Sequence, residues 1–474
     1  MLRSKILSRL RIKTFHTSIL HRQQHTNPSS HNAWSAIFED NDPIPDHSKY
    51  RRITSTDAAK YEHFPRNTKM LVRDFVDNSL YNPYYGYFSK QAQIISTDME
   101  FDFNSMRNNN EFLKILAKKY DEIEEQLEEN HVTARQLWHT PVEIFKPWYG
   151  YAMAQYMVTE YLLNSYPHQD LIIYELGAGN GSLMLNILDY IRKFQPSVYE
   201  RTKYKIIEIS AKLAEKQANR QRVRAARDTH NCVEIVNENI FDWKKYVSEP
   251  CFFLAFEVVD NFAHDLIRYD NETEDAWQGL VITDSDGNFH EIYEPINDPL
   301  IARYLSLRQQ TPYRTPILHK RRFLRKLRSH LPFASNMTMP EFIPTKLLLF
   351  LEILKNYFPY HRLLLSDFYT LPDTIEGIDA PVVQTRFERT TVPCSTYMLM
   401  PGYFDIFYPT NFELLKDIYQ IVCRANQATE DEKHIRILTH KEFLERYADV
   451  TRTTTRSREN PMLMFYENVK FFLS

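Results

Sequence analysis

From Leu171 onward the chain alternates between short apolar runs and longer amphipathic ones. Leu171-Ile172-Ile173-Tyr174 predicts a buried strand and Leu183 to Phe194 a helix. Tyr204 to Ile209 predicts a second strand, and Ala211 to Arg227 a second helix. Cys232 to Val236 and Cys251 to Phe256 are further strand-like runs. Strands alternating with helices build a parallel sheet covered on both faces, so the expected class is α/β. Upstream the pattern is helical. Thr68 to Leu80 predicts a helix capped by Asn67 or Thr68, with Met70, Phe75 and Leu80 for burial. It runs into the aromatic turn Asn82-Pro83-Tyr84-Tyr85-Gly86-Tyr87-Phe88. Phe112, Leu116, Tyr120, Ile123 and Leu127 recur at helical spacing inside a strongly charged segment and predict an amphipathic surface helix.

The first 38 residues differ in kind. They hold Arg3, Lys5, Arg9, Arg11, Lys13 and Arg22 but no Asp or Glu, and Leu2, Ile6 and Leu10 share one helix face. An Arg-rich, acid-free amphipathic segment is the composition of a mitochondrial transit peptide; the alternative is a basic tail. All 61 acidic residues lie beyond it, so the remainder is clearly acidic and is not a general nucleic-acid binder. The expected division is a transit peptide over 1–30, a linker over 31–60 and an N-terminal helical region over 61–150. The catalytic core follows over 151–474, with a basic helical insertion near 311–350. No apolar run reaches the roughly 20 residues that span a bilayer. Cys232, Cys251, Cys394 and Cys423 have no metal-type spacing and read as reduced thiols, so no metal is expected.

The chemistry concentrates at Glu175-Leu176-Gly177-Ala178-Gly179-Asn180-Gly181-Ser182. Three of the chain's 9 glycines fall there, directly after a strand and directly before a helix. Such glycines let the backbone turn sharply and approach a ligand, and the helix start offers N–H groups to an anion. A dinucleotide fingerprint would place a glycine where Ser182 stands. Glu175 would repel a pyrophosphate but suits the amino group of the methionine moiety in S-adenosylmethionine (SAM). SAM is therefore favoured over a dinucleotide; a tight turn without a ligand is the plain alternative. Glu208, near the tip of the second strand, is placed to hold ribose hydroxyls. Ile240 and Phe241, after the third strand, are placed to line the adenine. The fourth strand ends in Phe256-Glu257-Val258-Val259-Asp260-Asn261-Phe262-Ala263-His264-Asp265. Carboxylates there suit a guanidinium, gripped by paired hydrogen bonds. His264 suits such a substrate site too, and reads equally as a packing or N-cap residue.

These segments resemble the MidA-type methyltransferases, the mitochondrial respiratory complex I assembly factors and their bacterial and fungal relatives. The resemblance rests on Glu175 to Leu183, on Ile207-Glu208-Ile209-Ser210-Ala211-Lys212-Leu213 with Gln217, and on Phe256 to Asn261. It extends to Met70-Leu71-Val72-Arg73-Asp74-Phe75, to Asn82 to Tyr87, to Thr140-Pro141-Val142-Glu143-Ile144 and to Pro401-Gly402-Tyr403-Phe404-Asp405-Ile406. The chain departs from the family pattern at Phe256-Glu257, where the family has Asn-Glu, and at Asp367-Phe368-Tyr369, where it has Asp-Tyr-Gly.

The resemblance implies a Rossmann-like class I SAM-dependent methyltransferase sheet, with SAM as cofactor and symmetric dimethylation of an arginine on a complex I subunit in the matrix. It gives Gly177, Gly179 and Gly181 the cofactor loop, Glu208 the ribose, and Glu257 the substrate end with Asp260 beside it. Thr140 and Glu143 would close over the cofactor. A non-catalytic assembly protein that keeps the fold is the alternative. The basic run Lys320 to Arg328 reads either as a solvated helix face or as a peripheral contact with an anionic membrane.

Overall fold

The computed structural model describes residues 46–90, 100–129, 140–208, 229–319, 335–387, 390–424 and 435–474. The N-terminal basic segment, the expected helix from Ala211 to Arg227 and the run Lys320 to Arg328 lie outside them. Strands are numbered in chain order, as are helices of eight residues or more. β1 (Arg51–Arg52), β2 (Thr68–Leu71), α1 (Val72–Tyr81), α2 (Asn109–Glu129) and α3 (Trp148–Asn164) come first. β3 (Leu171–Leu176), α4 (Ser182–Phe194), β4 (Thr202–Glu208), β5 (Val233–Asn239) and β6 (Cys251–Phe256) follow. Next come β7 (Asp265–Tyr269), β8 (Ala276–Thr283), β9 (Phe289–Pro295), α5 (Pro299–Gln309), β10 (Glu341–Ile343), α6 (Thr345–Tyr357) and β11 (His361–Phe368). β12 (Val382–Phe387), β13 (Thr390–Cys394), β14 (Asp405–Phe407), α7 (Phe412–Arg424), β15 (Arg436–Thr439), α8 (His440–Tyr447) and β16 (Val469–Leu473) complete the chain.

The central sheet runs β15-β16-β11-β6-β3-β4-β5. β11, β6, β3, β4 and β5 are mutually parallel, and β16 is antiparallel to both its neighbours. Each parallel strand sends alternate residues to opposite faces. Leu171 and Ile173 enter one core with Met184 and Ile187 of α4 and Met153 of α3. Ile172 and Tyr174 enter the other with Leu351 of α6 and Leu415 of α7. Burial on both faces explains why β3 and β6 read as nearly unbroken apolar runs.

A second sheet, β1-β2-β8-β7-β10 with β9 on β8, and a small sheet β13-β12-β14 lie beside it. They share a third core containing Met70, Phe75, Leu266, Val281 and Tyr397. This β-rich addition corrects three expectations. Thr68 to Leu71 is a strand, antiparallel to β8, and the helix begins only at Val72. Asn67, with φ 51°, turns the chain into that strand. The expected linker ends in structure: Arg51 and Arg52 pair with Thr68 and Lys69, and Ile53 and Ala58 are buried. Within 311–350, Glu341–Ile343 is a strand on β7. In each case the deciding partner is remote in sequence. The acidic helix forms as expected, but Phe112 and Leu116 are buried among Phe101, Phe103, Phe145 and Phe465.

Candidate functional site

Strand order reverses at β3: β4 and β5 extend to one side, β6 and β11 to the other. The crevice outside the carboxyl ends at such a reversal is where open α/β sheets bind ligands. Glu175, the glycine loop, Glu208 and the turn from Glu257 to Asp260 all leave the sheet at that edge.

The loop is committed to its shape by its glycines. Gly177, Gly179 and Gly181 have φ of 70°, 55° and 80°, a region costly for other L-residues. Gly177 N–H donates to Ile207 O of β4 at 2.9 Å. Gly181 is the N-cap of α4 and has no side chain to cap the helix. A Cβ on Gly177 would stand 3.2 Å from Val258 Cγ2, so the loop lies directly against the turn after β6.

Two buried acids flank the loop. Glu175, 4 % exposed, accepts a hydrogen bond from the Tyr204 hydroxyl at 2.8 Å. Burial pushes its carboxyl up to about 7, against the lowering effect of that bond. Glu208, 2 % exposed, ends β4 where the register with β5 shifts between Ile207 and Glu208. Beyond it, Asn239 Oδ1 caps Phe241 N–H at 3.0 Å. Ile240 is fully buried in the core, so Phe241 is the half-buried member of the pair. Lys346 Nζ lies 4.4 Å from the Phe241 ring centroid and pairs with Asp77.

The acceptor end is a tight turn. Glu257 has left-handed backbone, φ 51°, and donates its N–H to Ser366 O at 2.9 Å. Non-glycine residues held there cluster at functional sites. Tyr149 and Tyr466 are buried close enough to feel its charge; burial first, then Glu257, holds both phenols protonated. Asp260, fully buried, shares the turn, and its carbonyl accepts from Tyr408 N–H at 2.7 Å. Asp367, buried at the end of β11, pins the turn by its carboxylate. Tyr81 of α1 reaches in between: burial first, then Asp77, Asp260, Asp405 and Glu208, raise its pKa well above the phenol range. His264 is a packing residue. It is stacked on Tyr408 at 3.9 Å, its Nδ1 bonds Phe262 O at 2.9 Å, and burial pushes it down to about 3.

Thr140 and Glu143 stand at the loop's other side. Thr140 caps the short helix Pro141–Ile144. Glu143 accepts from Ser182 Oγ at 2.6 Å and pairs with Lys146 at 3.2 Å, clipping that helix to the start of α4. The residues singled out from sequence thus converge on one edge. Tyr81, Tyr149, Tyr466, Ser366 and the role of Asp367 were not anticipated. A lone acid closing the apolar run Leu363 to Phe368 was the one local signal.

The family model described as "Putative S-adenosyl-L-methionine-dependent methyltransferase" matches residues 152–429. The chain belongs to this family of SAM-dependent methyltransferases. It is 26% identical over 410 residues, 84% of this chain and 83% of the relative, to the mitochondrial protein arginine methyltransferase NDUFAF7 homolog of Schizosaccharomyces pombe (strain 972 / ATCC 24843). A COG1565 superfamily member from Burkholderia thailandensis, bound to S-adenosyl-homocysteine, shares the fold at 12% identity, 95% coverage of each chain and a TM-score of 0.52. SAM is the family's cofactor, and the cradle is compatible with it: left-handed glycines, a helix start without a side-chain cap, and two buried acids beside the loop. Among the described residues no helix is long and apolar enough to cross a membrane.

Proposed function

We propose that this chain methylates arginine on a mitochondrial protein, by symmetric dimethylation of a respiratory complex I subunit in the matrix. The observation that carries the reading is the gathering of carboxylates at the acceptor end. Glu257 sits on strained backbone, Asp260 follows it on the same turn, and Asp260 and Asp405 both act on Tyr81. Such a site suits a cationic acceptor. The arginine methyltransferase activity and mitochondrial location named for the relative point the same way, as does the acid-free basic N-terminal segment.

In this reading Glu175, Gly177, Gly179, Gly181 and Glu208 hold SAM, with Phe241 and Ile240 on the adenine side. Glu143, positioned by Thr140, keeps the loop closed. When bound, SAM supplies an activated methyl group on a sulfonium. The protein's task is then positioning. Glu257 accepts two guanidinium N–H bonds and aims the remaining nitrogen at the methyl group. Asp260 would take the proton that this nitrogen gives up on methylation.

Glu257→Gln keeps the shape and removes the charge. It is expected to bind SAM normally and to lose transfer by roughly 100-fold, the range for one removed electrostatic group. Mass spectrometry of mitochondrial proteins from wild-type, Glu257→Gln and deletion cells tests this. Identical arginine methylation in all three would overturn it.

A further inference from the structure

A cavity lies among α5, α6 and α7, with Val259 and His264 on its inner wall. It has room for about three water molecules within about 40 Å³. One wall is aliphatic, with Leu347 and Leu351 of α6 facing Leu414 and Ile418 of α7. The other carries Arg308, Glu341 and Asp379.

The charges do not balance. Arg308 is the one Lys or Arg among the described lining residues. Its Nη1 donates to Glu341 Oε1 at 2.6 Å and its Nη2 to the Tyr269 hydroxyl at 2.6 Å. That hydroxyl donates in turn to Glu341 Oε2 at 2.7 Å. The ring is closed, and Asp379 is the surplus carboxylate. Asp379 is held in place on left-handed backbone, φ 50°, by a turn whose Gly377 packs so closely that a Cβ would meet Pro316 Cδ at 2.6 Å. Burial, then the neighbouring Glu341, pushes its carboxyl up to about 7, against the lowering effect of the Gly377 N–H and of Arg308. His264 adds an acceptor. A carbonyl cannot donate, so Nδ1 carries the hydrogen given to Phe262 O and Nε2 keeps a lone pair. Among the described lining residues no Lys or Arg besides the committed Arg308 faces Asp379, and the other side wants an aliphatic stem. Lysine and arginine side chains combine such a stem with a cationic head.

The cavity is distinct from the acceptor end. Tyr149 and Tyr466, which neighbour Glu257, belong to the core on the α3 and α4 face. Leu347, Leu351, Leu414 and Ile418 belong to the core on the opposite face. Val259 lies on the turn between the two.

We propose that this cavity is a specificity pocket for a second basic side chain of the acceptor protein, its stem along α6 and α7 and its head on Asp379. The proposal rests on the reading of the acceptor as a cationic protein segment. It makes the enzyme select a pair of basic residues, one methylated and one anchored.

The test is direct binding of n-butylguanidinium to the full chain by NMR titration, with pentanoate as the anionic control. The Glu257→Gln background keeps the cation from binding at the acceptor end. Butylguanidinium is expected to bind and pentanoate to fail. Asp379→Asn should weaken the cation at least tenfold, as should Leu414→Phe, which narrows the cavity; SAM affinity should stay unchanged in both. If Asp379→Asn disturbs SAM binding, Leu414→Phe decides. Equal cation binding with and without Asp379→Asn, or pentanoate binding as well as the cation, overturns the pocket. No methyl transfer is measured, so a chain without arginine methyltransferase activity sinks the functional reading and leaves this result standing.

Discussion

Asp367 Oδ2 lies 3.0 Å from the backbone nitrogen of Val259 and accepts its hydrogen bond, along with those of Val258 at 3.2 Å and Asp260 at 3.1 Å. One carboxylate at the end of β11 thereby shapes the turn after β6. Removing it leaves three buried N–H groups to satisfy. Asp367→Ala is expected to cost about 3 kcal/mol of stability, since hydrogen bonds to charged groups are the strong ones. Urea unfolding checks this. A loss within measurement error would show that water replaces the carboxylate.

Gly177 combines φ 70° with a Cβ position 3.2 Å from Val258 Cγ2. Gly177→Ala is expected to add roughly 1–2 kcal/mol of backbone strain and to push Val258 away, weakening SAM about tenfold. Calorimetric titration with SAM reads the effect. Wild-type affinity in the variant would remove the loop from the cofactor site.

Glu175 makes cofactor binding depend on pH. Its carboxyl is pushed up to about 7 by burial, from an ordinary 4.5. Below the ordinary value both folded and unfolded chains are protonated. Between the two values only the unfolded chain ionises, so stability without ligand falls as pH rises through that window, by on the order of 3 kcal/mol. An ammonium beside Glu175 reverses the preference and favours the carboxylate. SAM affinity is therefore expected to rise about tenfold from about pH 6 to about pH 8, with proton release seen by calorimetry in buffers of different ionisation enthalpy. Glu175→Gln should abolish the dependence. A flat pH profile in the wild type would place the ammonium elsewhere.

Deleting residues 1–30 is expected to leave the protein in the cytosol, because the basic amphipathic segment is the proposed import signal. Fractionation of cells expressing both forms provides the measurement. Import of the shortened chain would contradict the targeting reading.

Much of the candidate site's geometry was legible locally because it is backbone geometry. Glycines at 177, 179 and 181 after an apolar run admit few backbone paths, and an acid at 175 or 208 ending such a run has few uses. Asp367 was harder. Its role depends on β11 lying beside β6, which brings together residues more than a hundred positions apart. Tyr81 reads as one more aromatic near an aromatic turn until α1 is docked across the strand ends. His264 looked as suited to chemistry as to packing; only its burial and its stack on Tyr408 decide for packing.

The sequence by itself determined the parallel α/β core, the glycine loop with its flanking acids, and the family. These follow from periodicity and from residues with narrow conformational or ionic tolerance. Only the tertiary structure decided that Thr68 to Leu71 is a strand, that β7 to β10 form a second sheet, and that Asp379 faces a closed Arg308–Glu341 ring. The physical reason is the same in each case. Strand pairing and charge balance are set by partners far away in sequence, and no local pattern records which partner arrives.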